Sequence, residues 1–250
     1  MNKDAIILIT GGNGLVGHAL KRSLVNQGYK NIFTPRSSEY DLSNMEQTLK
    51  MFANIQPDFV FHLAAQALVR PSYEDPLETI SVNAIGSVNV LDALRRLNKK
   101  VAVVMVTSDK AYDNVEWVWG YRETDRLGGK DPYSASKGMA ELVIRSFNES
   151  FFNKADSNIR VGIARAGNVI GGGDWAKDRI IVDCIRNFQN GNVIEIRSPN
   201  ATRPWQHVLE PLSGYLSTGA YLCRGIVPSG EAFNFGPKTE LTKTVLELTE

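Results

Sequence analysis

In the stretch VTSDKAYDN, residues 106–114, a hydroxyl, a carboxylate and an ammonium stand side by side at Ser108, Asp109 and Lys110. They follow KKVAVVM, an apolar, β-branched run that reads as a buried strand. A strand that served only a core would end in Gly, Asn or Pro. This one ends in an acid next to a base, a pair able to give and take protons. Downstream, DPYSASKGMAEL sets Tyr133 and Lys137 at i and i+4 of a helix start, on one face. A Lys ammonium favours tyrosinate, so Lys137 is expected to draw the pKa of Tyr133 down from about 10 toward the range of a general base. The strand end would deliver Ser108 beside that helix, so three groups converge on one alcohol. The blander readings are a surface Asp–Lys ion pair and a surface Tyr–Lys pair.

These groups need a frame, and the chain supplies one in alternating pieces. Strands are expected at 5–10, 31–34, 58–63, 101–107 and 159–164. Between them, helical spacing runs over 15–26, 43–54, 74–98 and 133–152. Ser43 is placed as an N-cap, and Leu77, Ile80, Ile85, Val88, Leu91 and Leu94 form one apolar stripe. Such βαβα alternation implies an α/β fold, a Rossmann-type doubly wound parallel sheet with ligands at the strand C-terminal edge. After residue 167 the pattern breaks at Gly171–Gly173, Pro199, Pro204 and Pro211. The expected division is a dinucleotide-binding domain over 1–167 and a small, truncated C-terminal substrate lobe over 168–250, interleaved with the last Rossmann elements.

The first strand feeds TGGNGLVG, with Gly11, Gly14 and Gly17 spaced by three before the first helix. In that context the turn lets backbone approach a pyrophosphate, and the helix N-terminus supplies amide donors. After the second strand, NAD binders place an acid for the ribose 2′-hydroxyl, whereas an Arg accommodates a 2′-phosphate. TPRSSEYD offers Arg36, Ser37 and Ser38 and no acid at that place. On chemistry this favours NADP; a solvated surface Arg is the alternative.

Composition narrows the class. Lys plus Arg number 28 against 27 Asp plus Glu, a net charge of +1, so nothing points to a nucleic-acid or membrane surface. Apolar runs such as 5–9 and 101–106 are too short to span a bilayer. Two cysteines, Cys184 and Cys223, and three histidines show no metal spacing, so no metal is expected. Cys184, Cys223 and His207 read as packing residues, and a cytoplasmic protein is the default.

The strings HLAAQALVRPSYEDP (62–76), TSDKAYDNVEWVWGYRETD (107–125), PYSASKGMAEL, ARAGNVIGGGDW (164–175) and RPWQHVLEPLSGYL (203–216) resemble extended short-chain dehydrogenases/reductases acting on nucleotide sugars. Within these they are most similar to the CDP-glucose 4,6-dehydratases, which carry Asp-Lys after the hydroxyl residue where related dehydratases carry Asp-Glu. The resemblance implies that Tyr133 removes the sugar 4-hydroxyl proton while Ser108 bonds the 4-oxygen. Lys110 would then take the C5 proton as Asp109 protonates the departing 6-hydroxyl; an elimination needs such an acid and base at adjacent carbons.

It further implies a dinucleotide on Gly11, Asn13, Gly14, Leu15, Val16 and Gly17, on Arg36 and Ser37, and along Leu63, Ala64, Ala65 and Asn83, reaching Tyr133 and Lys137. Asn168 and Arg203 would hold the substrate diphosphate, Arg203 having a structural ion pair as its alternative. Trp175 and Trp205 would border the nucleotide or be buried aromatics. The first sixty residues, GGNGLVGHALKRSL and FTPRSSEYDLSN, are more similar to GDP-fucose synthases, which use NADP, whereas CDP-glucose dehydratases use NAD. Such relatives continue past position 250, so an incomplete sugar pocket is expected. A homodimer through the helices at 74–98 and 133–152 is expected as well. The rival readings are another nucleotide-sugar epimerase or reductase and a non-catalytic dinucleotide-binding protein.

Overall fold

Alternate side chains of a strand go to opposite faces, and the strands here carry apolar residues on both. Along β1 (Ile7–Thr10), Ile7 and Ile9 join one buried cluster and Leu8 another; in β3 (Phe59–His62), Phe59 and Phe61 part from Val60 in the same way. Strands of this kind need cover on both sides, which a parallel sheet between two helical layers provides. The computed structural model, which describes residues 2–176 and 178–249, has that architecture. The helices in chain order are α1 (Leu15–Asn26), α2 (Met45–Ile55), α3 (Val69–Glu74), α4 (Pro76–Ile80), α5 (Gly86–Arg95), α6 (Pro132–Phe147), α7 (Ile180–Gln189), α8 (Leu209–Arg224) and α9 (Val245–Thr249). The other strands are β2 (Ile32–Phe33), β4 (Val101–Val106), β5 (Ile159–Ala166), β6 (Val169–Ile170), β7 (Thr202–Arg203), β8 (Gln206–His207), β9 (Ala232–Phe235) and β10 (Lys243–Thr244).

The main sheet has the order β2-β1-β3-β4-β5-β9, parallel throughout. The order reverses between β1 and β3, so the turns after these two strands open a crevice at the C-terminal edge. One face is covered by Leu20 and Leu24 of α1 and Leu212, Tyr215 and Leu222 of α8. The other is covered by Met51 and Phe52 of α2, Leu91 and Leu94 of α5 and Ile144 of α6. Among the described residues no helix is long and apolar enough to cross a membrane.

Several local expectations change. The N-cap of α2 is Asn44, whose Oδ1 accepts from the Gln47 amide at 3.1 Å; Ser43 donates its hydroxyl to Asp41. The run 74–98 is not one helix. α3 ends at Glu74, and α4 restarts at Pro76 with Asp75 capping the Glu78 amide at 2.8 Å. A π turn, Ser81–Ile85, then precedes α5. The wider turn rotates the two halves against each other, so Leu77 is 73% exposed whereas Leu91 and Leu94 are buried. Residues 148–152, read as the end of a helix from Tyr133, form a second π turn after α6. Cys223 and His207 are exposed rather than packed.

At the end of β3, His62 is buried between Thr10, whose Oγ1 lies 2.8 Å from Nδ1, and Ser87, whose Oγ lies 3.3 Å from Nε2. Ser87 donates its own proton to the Asn83 carbonyl, so Nε2 carries the ring hydrogen and Nδ1 accepts from Thr10. Burial, with Lys137 adding to it, pushes the His62 pKa down to about 3. The unfolded chain therefore takes up a proton near pH 6.5 that the folded chain refuses until about pH 3. This contribution to stability is full above the higher value and lost as pH falls through the window. Urea titrations of the wild type and of His62→Gln are expected to converge by on the order of 2–3 kcal/mol between pH 7 and pH 4.

Candidate active site

At the crevice, Gly11 has φ +70°, and a Cβ there would lie 2.7 Å from the Ala64 nitrogen. A Cβ on Gly17 would lie 2.4 Å from the Gly11 oxygen. Only glycine permits this closeness of turn, helix and neighbouring loop. The N-cap of α1 is Gly14, which offers no side-chain acceptor, and the first turn has no acid. The amides there are left for an anion, so the turn fits a dinucleotide pyrophosphate. Leu15 and Val16 are half-buried and Asn13 is exposed.

Leu63, Ala64 and Ala65 form the half-buried wall opposite the turn. Asn83, expected along the cofactor, stands behind that wall. It is buried, donates to the Gln66 carbonyl at 2.9 Å and Ser136 Oγ at 2.8 Å, and accepts from the Gln66 amide at 2.8 Å. Its amide is used in fixing the loop. Arg36 and Ser37 are exposed in the turn after β2, and the Arg36 guanidinium has no ion-pair partner among the described residues. Sequence reasoning missed Lys21, whose Nζ donates to Thr34 Oγ1 at 3.2 Å and adds a second cation there.

The end of β4 and the start of α6 meet as expected. Ser108 caps the short turn Asp109–Ala111: its Oγ accepts from the Lys110 amide at 3.2 Å and donates to Asp109 Oδ1 at 3.0 Å. The same hydroxyl acts on the Tyr133 phenol, lowering its pKa. Helix α6 begins on Asp131, which accepts from the Ser134 amide at 2.9 Å, and Pro132 takes the first helical position. Lys137, one turn on, holds its Nζ 5.9 Å from the Tyr133 ring centre and has no hydrogen bond or ion pair among the described residues. A buried ammonium of that kind fits a ligand hydroxyl. No ion pair joins Asp109 to Lys110 among the described residues, since Asp109 turns to Ser108.

The pKa of Tyr133 runs against expectation. Burial pushes it up to about 12; the Ser108 hydroxyl pulls it down and Asp109 pushes it further up. Burial also brings Lys137 down to about 8, with Glu141 opposing. Desolvation, the largest influence on both groups, penalises tyrosinate and ammonium alike.

Beyond β5 lies a cavity of about 530 Å³ lined by Asn168, Trp175, Arg179, Arg197, Arg203 and Trp205 among others. Arg203 donates to the Thr202 carbonyl at 2.7 Å and pairs with no carboxylate among the described residues, which disposes of the structural ion pair. Trp175 is 58% exposed, not a core aromatic. Trp205 Nε1, a buried donor, has no hydrogen-bond partner among the described residues, and Arg179 Nε has only the Asp174 carboxylate at 3.6 Å, beyond hydrogen-bond reach. The cavity therefore suits a ligand rich in acceptors, such as a diphosphate. Arg179 and Arg197 were missed by sequence reasoning, since no local pattern marks them off from surface cations.

Residues 7–217 match the NAD dependent epimerase/dehydratase family. A CDP-glucose 4,6-dehydratase of Salmonella typhimurium is 53% identical over 208 residues, which are 82% of this chain and 58% of that protein. The chain thus spans less than two thirds of the length of that relative. A solved dTDP-glucose 4,6-dehydratase from Streptomyces venezuelae with NAD bound superposes with a TM-score of 0.81 at 20% identity, covering 97% of this chain and 78% of that one. The Pseudomonas aeruginosa protein RMD, solved with NADPH, gives 0.80 at 24%, covering 98% and 80%. At these identities the likeness shows a shared fold. The family match extends from β1 into α8 and takes in every strand of the main sheet but β9, helices of both layers and the turn that carries Asp109 and Lys110, and on it the chain belongs to the NAD dependent epimerase/dehydratase family.

Proposed function

We propose that the chain is a nucleotide-sugar 4,6-dehydratase that converts CDP-glucose to CDP-4-keto-6-deoxyglucose and water. The observation that carries this reading is an acid and a base, Asp109 and Lys110, not paired with each other and seated on the turn that Ser108 caps beside Tyr133. A nicotinamide dinucleotide, held by the glycine turn, the Leu63–Ala65 wall and Lys137, would accept hydride at the start and return it at the end. Tyr133, whose raised pKa the positive charge of an oxidised nicotinamide beside it would bring back down, takes the 4-hydroxyl proton while Ser108 holds the same oxygen. Once C4 is a ketone the C5 proton is acidic; Lys110 would remove it as Asp109 protonates the 6-hydroxyl that leaves as water. Asn168 and Arg203 at the cavity would hold the diphosphate, with Arg179 beside them. A plain epimerase that only removes and returns hydride at C4, or a plain reductase, has no use for the second acid–base pair.

Arg36 and Lys21 favour NADP through its 2′-phosphate, whereas the family description favours NAD. Mass spectrometry of CDP-glucose incubated with protein and either dinucleotide, without reductant, tests both points. Catalytic formation of a product one water lighter is expected. Unchanged CDP-glucose overturns the substrate, and consumption of NADPH would favour a reductase. The homodimer is proposed on exposed apolar residues of α3, α4 and α6, among them Tyr73, Leu77, Met139 and Leu142. Light scattering at working concentration should give twice the chain mass; a monomeric mass removes the proposal.

A further inference from the structure

Glu141 of α6 and Arg165 of β5 form an ion pair in which neither side chain is exposed. It is bidentate: Arg165 Nε donates to Glu141 Oε1 and Nη2 donates to Oε2, both at 2.8 Å. Two further hydroxyls are bound to this pair. Thr107 donates to Glu141 Oε1 at 2.5 Å, and Arg165 Nη1 donates to the Tyr112 oxygen at 2.6 Å. Tyr112 donates a hydrogen bond to Asn234 Oδ1 of β9 at 2.7 Å. Thr107 and Tyr112 are the residues just outside Ser108–Ala111, so the segment that carries Asp109 and Lys110 is fastened at both ends to one ion pair. The carboxylate of that pair comes from α6, one turn beyond Lys137 and two beyond Tyr133.

We infer that Thr107, Tyr112, Glu141 and Arg165 are positioning residues that set the Asp109–Lys110 turn against the Tyr133–Lys137 helix. The inference rests on the dehydratase reading for its catalytic consequence. A buried bidentate pair has one favoured geometry, because the guanidinium fork and the carboxylate are both planar. A turn fixed at both ends to such a pair cannot drift relative to the helix that supplies the carboxylate. An acid and a base acting on adjacent carbons need that constancy, since displacements of about 1 Å cost roughly a hundredfold in rate. Packing alone would be served by an apolar pair of similar volume, often at no loss of stability.

Two near-isosteric changes release one end each, Thr107→Val and Tyr112→Phe, and Thr107→Ser keeps the hydroxyl. Hydrogen exchange at the amides of Ala111 and Tyr112, which close the turn onto Ser108 and Asp109, reads the positioning without substrate. Exchange is expected to quicken about tenfold or more in Thr107→Val and Tyr112→Phe, with kcat for water loss down about tenfold and KM within about twofold. Thr107→Ser should restore both values. Unchanged exchange overturns the inference, and so does faster exchange with an unchanged kcat per folded molecule, which is the signature of a merely structural role. If the wild-type chain leaves CDP-glucose intact, the proposed function fails, and the exchange rates alone then decide whether the pair holds the turn.

Discussion

Lys110→Ala protein, given CDP-glucose and a nicotinamide dinucleotide, is expected to form the dehydrated product at least about a hundredfold more slowly than the wild-type chain, as befits loss of a positioned general base. The fold should not suffer. Lys110 is half-exposed, its side chain has no hydrogen-bond or ion-pair partner among the described residues, and its backbone amide, which Ser108 accepts, is kept by alanine. Surface changes of this kind stay within about 0.5 kcal/mol, so the thermal midpoint should stand still while the rate collapses. In deuterated water the residual Lys110→Ala product should acquire solvent deuterium at C5 at the same reduced rate, because the lost group is the one that moves that proton. A wild-type rate in Lys110→Ala would assign the base elsewhere and remove the main reason to prefer a dehydratase over an epimerase.

Glu141→Gln addresses stability. It turns one carboxylate oxygen into an N–H donor facing a guanidinium donor and leaves the Arg165 charge in a site with no exposure. Burial opposes that charge, and the hydrogen bond and charge of Glu141, with Tyr112, more than offset burial, holding the Arg165 pKa above its usual value. Removing one member of a buried pair costs about 3–5 kcal/mol, which in a chain of this size lowers the thermal midpoint by roughly 10 °C. The control is Asp113→Asn, which breaks a pair with Arg126 at 3.5 Å in which the Arg side chain is 86% exposed. Solvent screening leaves such a contact worth at most about 1 kcal/mol. Equal midpoint shifts in the two variants would mean that burial does not set the strength of the Glu141–Arg165 pair.

Much of this molecule was legible from neighbouring residues. The longer strands of the sheet through β5 were, because short runs of four to eight residues that are apolar on both faces and bounded by turns have few other uses. The glycine turn was, because a strand, three spaced glycines and a helix state a steric demand within a dozen residues. Tyr133 and Lys137 were, because helical spacing puts them on one face whatever surrounds them. The π turn at Ser81–Ile85 was not: its hydrophobic spacing is that of an α-helix, and packing against α6, a distant part of the chain, bears on where the register slips.

The electrostatics of the site belonged to the tertiary structure. Lys137 beside Tyr133 in the sequence argued for a lowered phenol pKa; burial by elements from elsewhere in the chain reversed the direction. Arg165 and Glu141 each look like ordinary surface charges in the sequence, and become a buried clamp because β5 and α6 bring together residues 24 positions apart. Tyr112 joins them from 53 positions away. The sequence by itself determined where the candidate acids and bases and the glycine turn stand along the chain, because spacing and steric need are local. Only the tertiary structure decided which of them are charged, paired or held in place, because desolvation and pairing depend on what distant parts of the chain bring to the same few ångströms.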